Sequence, residues 1–578
     1  MAETKDTWAL IDARVKVMGP FYEQIDKTRK RLNLTPFVMK TFDGKDDLSN
    51  IINVTENRSA TYMARIIAGL MSSKWQGVIE GDISKQAAHK IEEFLENNRQ
   101  QADEFILNEY GLASLDAWLC NHVCHTSLIG VRWMSKVEEG KYEVDCLPLD
   151  MRWTPFVLNR WAAPITFRSK EDLLQELEGF KEMAEADNEA DNEGFFFLMP
   201  AELKDTDNEC RDYWDTQKNE LWVEKQLVFR QPNPYGKLPF VFTYPPSGFM
   251  FRDKGFIEHE SPGLLFLNEG LYDQLSRQLS IDATLGFDPV LPAYQRPVKN
   301  PAVNAVSLPP PQRGESLDVP DGELFQLVPR PDINQAQIAS RAEVSKMVDD
   351  AGPLTPRAYT TPPSAVEVVT EVELLDELQN PRYIALQMFR EQLARLIIDQ
   401  FICVCGDTSE PIKVGKRGRL KSFNVAHLKD PDSYSISYQL MKQNKRLAIV
   451  NESRALAAWG KFPTSYIFKD ILMVEDPAGW ERALDLQQAR EADPALALFE
   501  MGVKYAEEAE EMSDENDADL KKFQAMMLIE RGIAMVKARM NPQPQPPVSE
   551  GTREPKVPEQ KGSANALIPL LGRGGGVV

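Results

Sequence analysis

Nine prolines fall between Asp288 and Arg330, three of them consecutive at Pro309, Pro310 and Pro311, and no long regular element can pass through such a stretch. The short apolar runs inside it, Val303 to Leu308 and Leu324 to Val328, leave room only for a small irregular β unit. Its flanks have the opposite character. Ser261 and Pro262 offer an N-cap and a first-turn proline, and Leu267, Leu271, Leu275 and Leu279 then recur every fourth residue. That spacing predicts a helix from Ser261 to Phe287, about 40 Å long at about 1.5 Å per residue. A second helix is predicted from Asp332, just after Pro331, to about Ala351, so the chain goes out along one helix, builds a compact insert, and comes back along another.

The next segment, GPLTPRAYTTPP from Gly352 to Pro363, holds four prolines in twelve residues and must be a loop. A third helix is expected from Ser364 toward Cys403, with Pro381 kinking or interrupting it near Gln379. Before these elements, Trp8 to about Leu95 reads as mainly helical, with Tyr62, Ile66, Ile67, Leu70 and Met71 at helical spacing. Val137 to Phe167 and Tyr213 to Phe242 read as strands, with Leu221, Val223, Leu227 and Phe229 on one face. After them, Lys413 to Tyr438 reads as basic strand and turn and Leu440 to Ala458 as helix. The pairs Asp476-Pro477 and Asp493-Pro494 open two further helices, and another covers about Asp517 to Met540. From Asn541 the chain is proline-rich and polar, a composition expected to be disordered.

A chain of 578 residues exceeds what one core supports, and about three or four folding units are expected. Its apolar fraction of 43% is enough to build them. The formal charge of -22 argues against a generally basic nucleic-acid-binding surface, so any DNA contact has to be local or weak. Met1 to Val17 is too charged for a signal peptide, no run of about 18 apolar residues is present, and a cytosolic origin without membrane contact is expected. Six cysteines in so long a chain point to a reducing compartment rather than a disulfide framework.

The order of helix, proline-rich insert, returning helix, proline-glycine loop, long helix and helical end resembles the portal proteins of tailed bacteriophages, the short-tailed type above all. The residues carrying the resemblance are SPGLLFLNEGLYDQLSRQLSIDATLGFDPVL, the returning helix up to Met347, and PPSAVEVVTEVELLDELQNPRYIALQMFREQLARLII. It implies an α+β, predominantly α-helical fold divided into wing (1–255 and 364–476), stem (261–287 and 332–351), clip (288–331), tunnel loop (352–363), helical crown (477–540) and tail (541–578). It further implies a non-enzymatic ring of twelve subunits at one vertex of the capsid, assembled in the host cytoplasm and carried in the virion, through which DNA is packaged and ejected. The implied partners are the terminase large subunit, tail or adaptor proteins, major capsid and scaffold proteins, and double-stranded DNA held non-specifically and transiently, with no cofactor and no membrane.

Twelve copies of a -22 chain carry a formal charge of -264, and an acidic channel wall repels the phosphates of DNA that must slide in both directions. Isolated contacts to the backbone are assigned to Arg341, Lys346 and Arg357, with Tyr359, Thr360 and Thr361 in the loop beside them; inter-subunit salt bridging or solvation is the other reading of these cations. Partner docking on the clip is assigned to Arg313, Glu315, Asp318, Asp321 and Glu323.

Other patterns carry competing readings. Cys120, His122, Cys124 and His125 sit in LDAWLCNHVCH, where Cys and His at i and i+4 could ligate zinc; the apolar surroundings fit buried core residues instead. A metal-dependent enzyme built on this cluster, and a scaffold or adaptor without a channel, are the alternatives to the portal reading. MAEADNEADNEG, from Met183 to Gly194, has the acidic spacing of a calcium loop without its central glycine and is expected to be a solvated loop. Lys413, Lys416, Arg417, Arg419 and Lys421, interrupted by Gly415 and Gly418, suit a solvated turn or a phosphate-facing patch, and Cys403 and Cys405 read as core thiols. GxxxxGK[ST], GxSxG and HExxH are all absent, so nucleotide cradle, nucleophile elbow and zinc-protease helix have no sequence basis here.

Overall fold

The computed structural model describes residues 4–41, 43–48, 51–138, 141–188, 195–200, 202–245, 263–287, 294–295, 326–327, 335–351, 365–406, 411–428, 430–441, 445–472, 474, 476–510 and 515–540. Helix predominates in a mixed α+β fold. Two compact units divide the chain, Met1–Arg482 and Ala483–Val578.

The first unit opens with α1 (Thr4–Leu32), α2 (Arg58–Met71), β1 (Lys74–Gly81), α3 (Lys85–Tyr110) and α4 (Leu115–His125). Local chemistry fixes the ends of the last two helices. The Ser84 and Ser114 hydroxyls each accept the amide three residues on, and Gly111 closes α3 in the left-handed conformation at φ 65°. The expected helical character of Trp8 to Leu95 holds for α1, α2 and α3. It fails at β1, which pairs antiparallel along its whole length with β16 (Tyr434–Met441), a partner the local pattern cannot reveal.

Two sheets follow. A five-stranded sheet has the order β11 (Phe240–Thr243), β2 (Ile129–Glu138), β3 (Lys141–Pro148), β14 (Ile412–Val414) and β15 (Lys421–Phe423). A seven-stranded sheet runs β4 (Phe156–Val157), β5 (Trp161–Ala162), β8 (Asn208–Asp215), β9 (Lys218–Val223), β10 (Gln226–Pro232) and β7 (Phe196–Phe197), with β6 (Ile165–Arg168) also on β8. α5 (Lys170–Asn188) packs Leu173 and Leu177 on the second sheet, where the Phe180 and Phe229 rings stack at 4.4 Å. Met183 to Asn188 therefore belongs to a helix and not to the expected solvated loop; Glu189 to Gly194 lies outside the described residues.

Glu224 and Lys225 turn the β9–β10 hairpin with φ of 47° and 70°, the pair of left-handed residues a tight two-residue turn requires. A bulge between Leu227 and Phe229 then reverses one expectation. Leu221, Val223 and Phe229 share the α5 side, whereas Leu227 faces the other way, against Trp8 and Trp222. The extra residue breaks the period of two that placed all four together.

The large core is organised around α8 (Ala365–Cys405), from which Leu386, Phe389, Ile398 and Phe401 are at most 1% exposed. The helix runs on across Pro381 without ending there, so of the two expectations, kink or interruption, the interruption does not occur. Proline there lacks the N–H that would reach the carbonyl of residue 377, and the loss of that bond is tolerated because the turns that follow are locked among buried side chains. Gln400 adds a polar pin: its Nε2 donates to the Trp133 carbonyl at 2.6 Å, and its Oε1 accepts from Ser135 Oγ at 3.1 Å.

After β15 come α9 (Val425–Leu428), β16 and α10 (Lys445–Ala458); the predicted helix from Leu440 begins at Lys445 because Leu440 and Met441 complete the β1 register. Then α11 (Thr464–Tyr466) is followed by α12 (Pro477–Ala492), α13 (Pro494–Glu510) and α14 (Glu515–Met540). Both Asp-Pro pairs open helices as expected, and Asp476 Oδ1 accepts the Gly479 amide at 2.6 Å. In the second unit α13 and α14 face each other, with Gly502 against Ile529 and Gly532 against Phe499.

Candidate functional site

Gly263 to Asn268 is not α-helical, contrary to expectation. The Leu264 amide donates to the Cys124 carbonyl at 2.9 Å, and a Cβ on Gly263 would sit 2.4 Å from the His125 carbonyl oxygen. The segment is thus spent on capping the end of α4 and contains only a 3-10 turn at Phe266–Asn268. α6 (Glu269–Phe287) starts after it, about 28 Å long for its 19 residues; Ser261 and Pro262 lie outside the described residues.

Along α6 runs an unusual ladder. Ser276 Oγ, Ser280 Oγ and Thr284 Oγ1 accept the amides of Glu56, Val54 and Ile52 at 3.3, 2.9 and 2.9 Å. Four helical residues rise about 6.0 Å and two extended residues about 6.6 Å, so hydroxyls four apart on a helix match amides two apart on an extended segment. The hydroxyls do the work of a neighbouring strand. α7 (Gln335–Ala351) lies on α6 through an Arg341–Asp282 ion pair and a hydrogen bond from Gln278 to Ser340 at 3.1 Å. Arg58, just past the ladder's Glu56 end, reaches Ser345 Oγ at 2.8 Å and Asp349 at 3.0 Å, so α6 and α7 are antiparallel. Arg31 secures the same end through Asp273 at 2.6 Å and by lying over the Tyr272 ring.

α6 thus has one face in the core, through Tyr272 and Leu275, whereas α7 contributes Val348 and leaves Ile338 50% and Met347 42% exposed. Among the assigned channel residues, Arg341 and Lys346 are exposed on α7, and Arg341 is already paired within the chain. Arg357, Tyr359, Thr360 and Thr361 lie outside the described residues, as do Arg313, Glu315, Asp318, Asp321 and Glu323. Of the insert, β12 (Tyr294–Gln295) and β13 (Gln326–Leu327) are described, and they pair antiparallel.

The Cys/His cluster does not converge on a point. Cys120 and Cys124 are at most 2% exposed in the large core, where burial pushes both thiols up to about 12, and His122 stacks on Trp118 at 3.9 Å. Burial lowers the His122 imidazole to about 4, with the nearby His125 adding to the shift, so it is neutral at ordinary pH. All six cysteines are free, and Cys403 is exposed rather than a core thiol. Lys413 is on β14, Lys421 opens β15, and Lys416, Arg417 and Arg419 lie in the turn between them: Gly415 at φ 136° is pressed against the Arg419 carbonyl, Lys421 pairs with Glu93 at 2.6 Å, and the cations are exposed.

Among the described residues, the His/Cys/Asp/Glu side chains whose ligand atoms do converge are His89, Glu92 and Asp476, all within 4.8 Å of one another. They sit on the wall of a cavity of about 730 Å³ bounded by α3, β1, α8 and the start of α12. His89 Nδ1 lies 2.8 Å from Asp476 Oδ2, and Glu92 Oε2 is buried with no donor. Burial, reinforced by the Asp476 carboxylate, pushes the Glu92 carboxyl up to about 10, while His89, Glu92 and the Gly479 amide hold Asp476 near about 2 against its burial. Sequence reasoning missed this trio because 387 residues separate His89 from Asp476; the His-x-x-Glu spacing on α3 was the only local signal.

Comparison of the chain with protein-family models and with curated proteins returned no match.

Proposed function

We propose that this chain is a subunit of a portal ring of a tailed bacteriophage, the channel at one capsid vertex through which DNA is packaged and ejected, with terminase and tail proteins docking on the insert between α6 and α7. The observation that supports this reading most is the antiparallel α6–α7 pair, which leads out to an insert with antiparallel strands near its two ends and back again. α7 leaves apolar Ile338 and Met347 about half exposed, which suits a helix with lateral neighbours in a ring. Acidic residues outnumber basic ones six to three over Glu269–Phe287 and Gln335–Ala351, in keeping with a wall that does not grip phosphate. The hydroxyl ladder and the Arg58 and Arg31 contacts tie the root of this pair to α1, α2 and the segment between them, as a stalk bearing load requires.

Native mass spectrometry with negative-stain imaging of the purified protein tests the proposal. A closed ring near twelve times 65.5 kDa with a central hole is expected. A monomer or dimer that persists across salt concentrations would overturn it.

A further inference from the structure

His89 and Glu92 are one turn apart on α3 and so project from the same helical face, and Asp476 meets them from the residue that caps α12. The Asp476 carboxylate is oriented from behind: Oδ1 is held by the Gly479 amide, which leaves Oδ2 for the imidazole. Any Cβ at residue 479 would fall 2.1 Å from Asp476 Oδ2, so glycine there is what lets the carboxylate lie in this position. The Glu92 and Asp476 carboxyl groups face each other, and Glu92 Oε2 is shielded from water. Either a proton or a cation has to separate such oxygens.

A cation can take the proton's place. The 2.8 Å between His89 Nδ1 and Asp476 Oδ2 is a hydrogen-bond distance, and a small side-chain adjustment opens it to about 3.4 Å, the separation of ligand atoms about 2.1 Å from a tetrahedrally held zinc. Glu92 is within reach of the same point, and the adjoining cavity supplies room for water to complete the coordination shell. One imidazole with two carboxylates suits a borderline transition ion better than magnesium or calcium, which take all-oxygen shells.

We propose that His89, Glu92 and Asp476 bind one divalent transition-metal ion, with zinc the best-matched choice, and that the ion fastens the start of α12 to α3. The fastening is local and has company. Lys85 Nζ reaches Glu481 of the same helix at 2.9 Å, and Lys469 pairs with Glu80 of β1. These ion pairs hold the two sides in register, and the metal supplies the bond that neither contact alone provides.

The test uses the full-length protein, stripped with EDTA and dialysed against zinc chloride, with bound metal measured by mass spectrometry of the elements. One zinc per chain is expected in the native protein. Loss of an outer-sphere partner alone weakens metal binding by about 10–100-fold, so removal of a direct ligand in His89→Ala or Glu92→Gln should weaken it by at least about 100-fold. Glu92→Gln is isosteric and uncharged, and its circular dichroism and melting temperature keep the comparison free of unfolding. Cobalt chloride should give visible d–d bands without a thiolate charge-transfer band. Equal zinc uptake by native protein and both variants, no uptake by the native protein, or a thiolate band pointing to the cysteines would each overturn the proposal. Because uptake is read per chain, the outcome stands apart from whether a ring forms.

Discussion

Replacing Ser280 by alanine removes the acceptor for the Val54 amide and leaves the α6 backbone untouched, since alanine is the better helix former. Ser280 is fully buried, so the orphaned amide finds no water in its place. Leaving a buried donor unpaired costs about 1–3 kcal/mol, and alanine's helix preference returns about 0.5 kcal/mol, for a net loss of about 0.5–2.5 kcal/mol. The cost is local. It should appear as hydrogen exchange at the Val54 amide, and in part at Ile52 and Glu56, that is about 2- to 70-fold faster than in the native protein. Thr284→Val is the graded control: its partner Ile52 is 40% exposed, water replaces the lost acceptor, and exchange should change less than about 3-fold. Identical exchange in native and Ser280→Ala protein, or a larger effect from Thr284→Val, would show that the hydroxyls do not hold the extended segment on α6.

Gly263→Ala should lower the melting temperature, with a cost of about 1–3 kcal/mol, because its Cβ would meet the His125 carbonyl oxygen at 2.4 Å; Gly179→Ala in α5, with nothing within 4 Å, should raise stability by about 0.5–1 kcal/mol, and differential scanning calorimetry separates the two. His122 binds its proton more weakly in the folded chain than unfolded, so its contribution of up to about 3 kcal/mol is present above about pH 6.5 and is lost as the pH falls toward about 4; His122→Phe, which keeps a ring on Trp118, should melt with a shallower decline over that window. Under the proposed portal function, charge reversal of Arg341, Lys346 and Arg357 together should change packaging rate or packaged genome length; Arg341 is exposed, so loss of its Asp282 pair costs at most about 1 kcal/mol, and unchanged packaging would remove the channel assignment.

Where sequence and structure agree, the deciding interactions are local. Asp476-Pro477 and Asp493-Pro494 carry their own capping chemistry and preset dihedral angle, and both open helices. The returning helix and the long helix after it also stand within a few residues of their expected bounds. The failures have distant causes. KWQGVIEG is a strand because β16 is there to pair with it, Leu264 leaves the helical pattern because the end of α4 needs a donor, and Leu227 changes face through a single bulge. The converging His89, Glu92 and Asp476 could not be read in advance for the same reason, whereas the conspicuous Cys/His cluster, close in sequence, points its thiols into packed core.

The β1–β16 pairing joins segments about 355 residues apart. At a translation speed of about 5–20 residues per second, β1 emerges from the ribosome roughly 20–70 s before its partner is made. Throughout that interval a strand carrying Trp75, Val78 and Ile79 has an open hydrogen-bonding edge, the kind that adheres to other unfinished chains. The first unit is therefore a late folder by construction, and the yield of native protein should depend on how well nascent chains are kept apart during synthesis, through slower expression, lower temperature or chaperone supply.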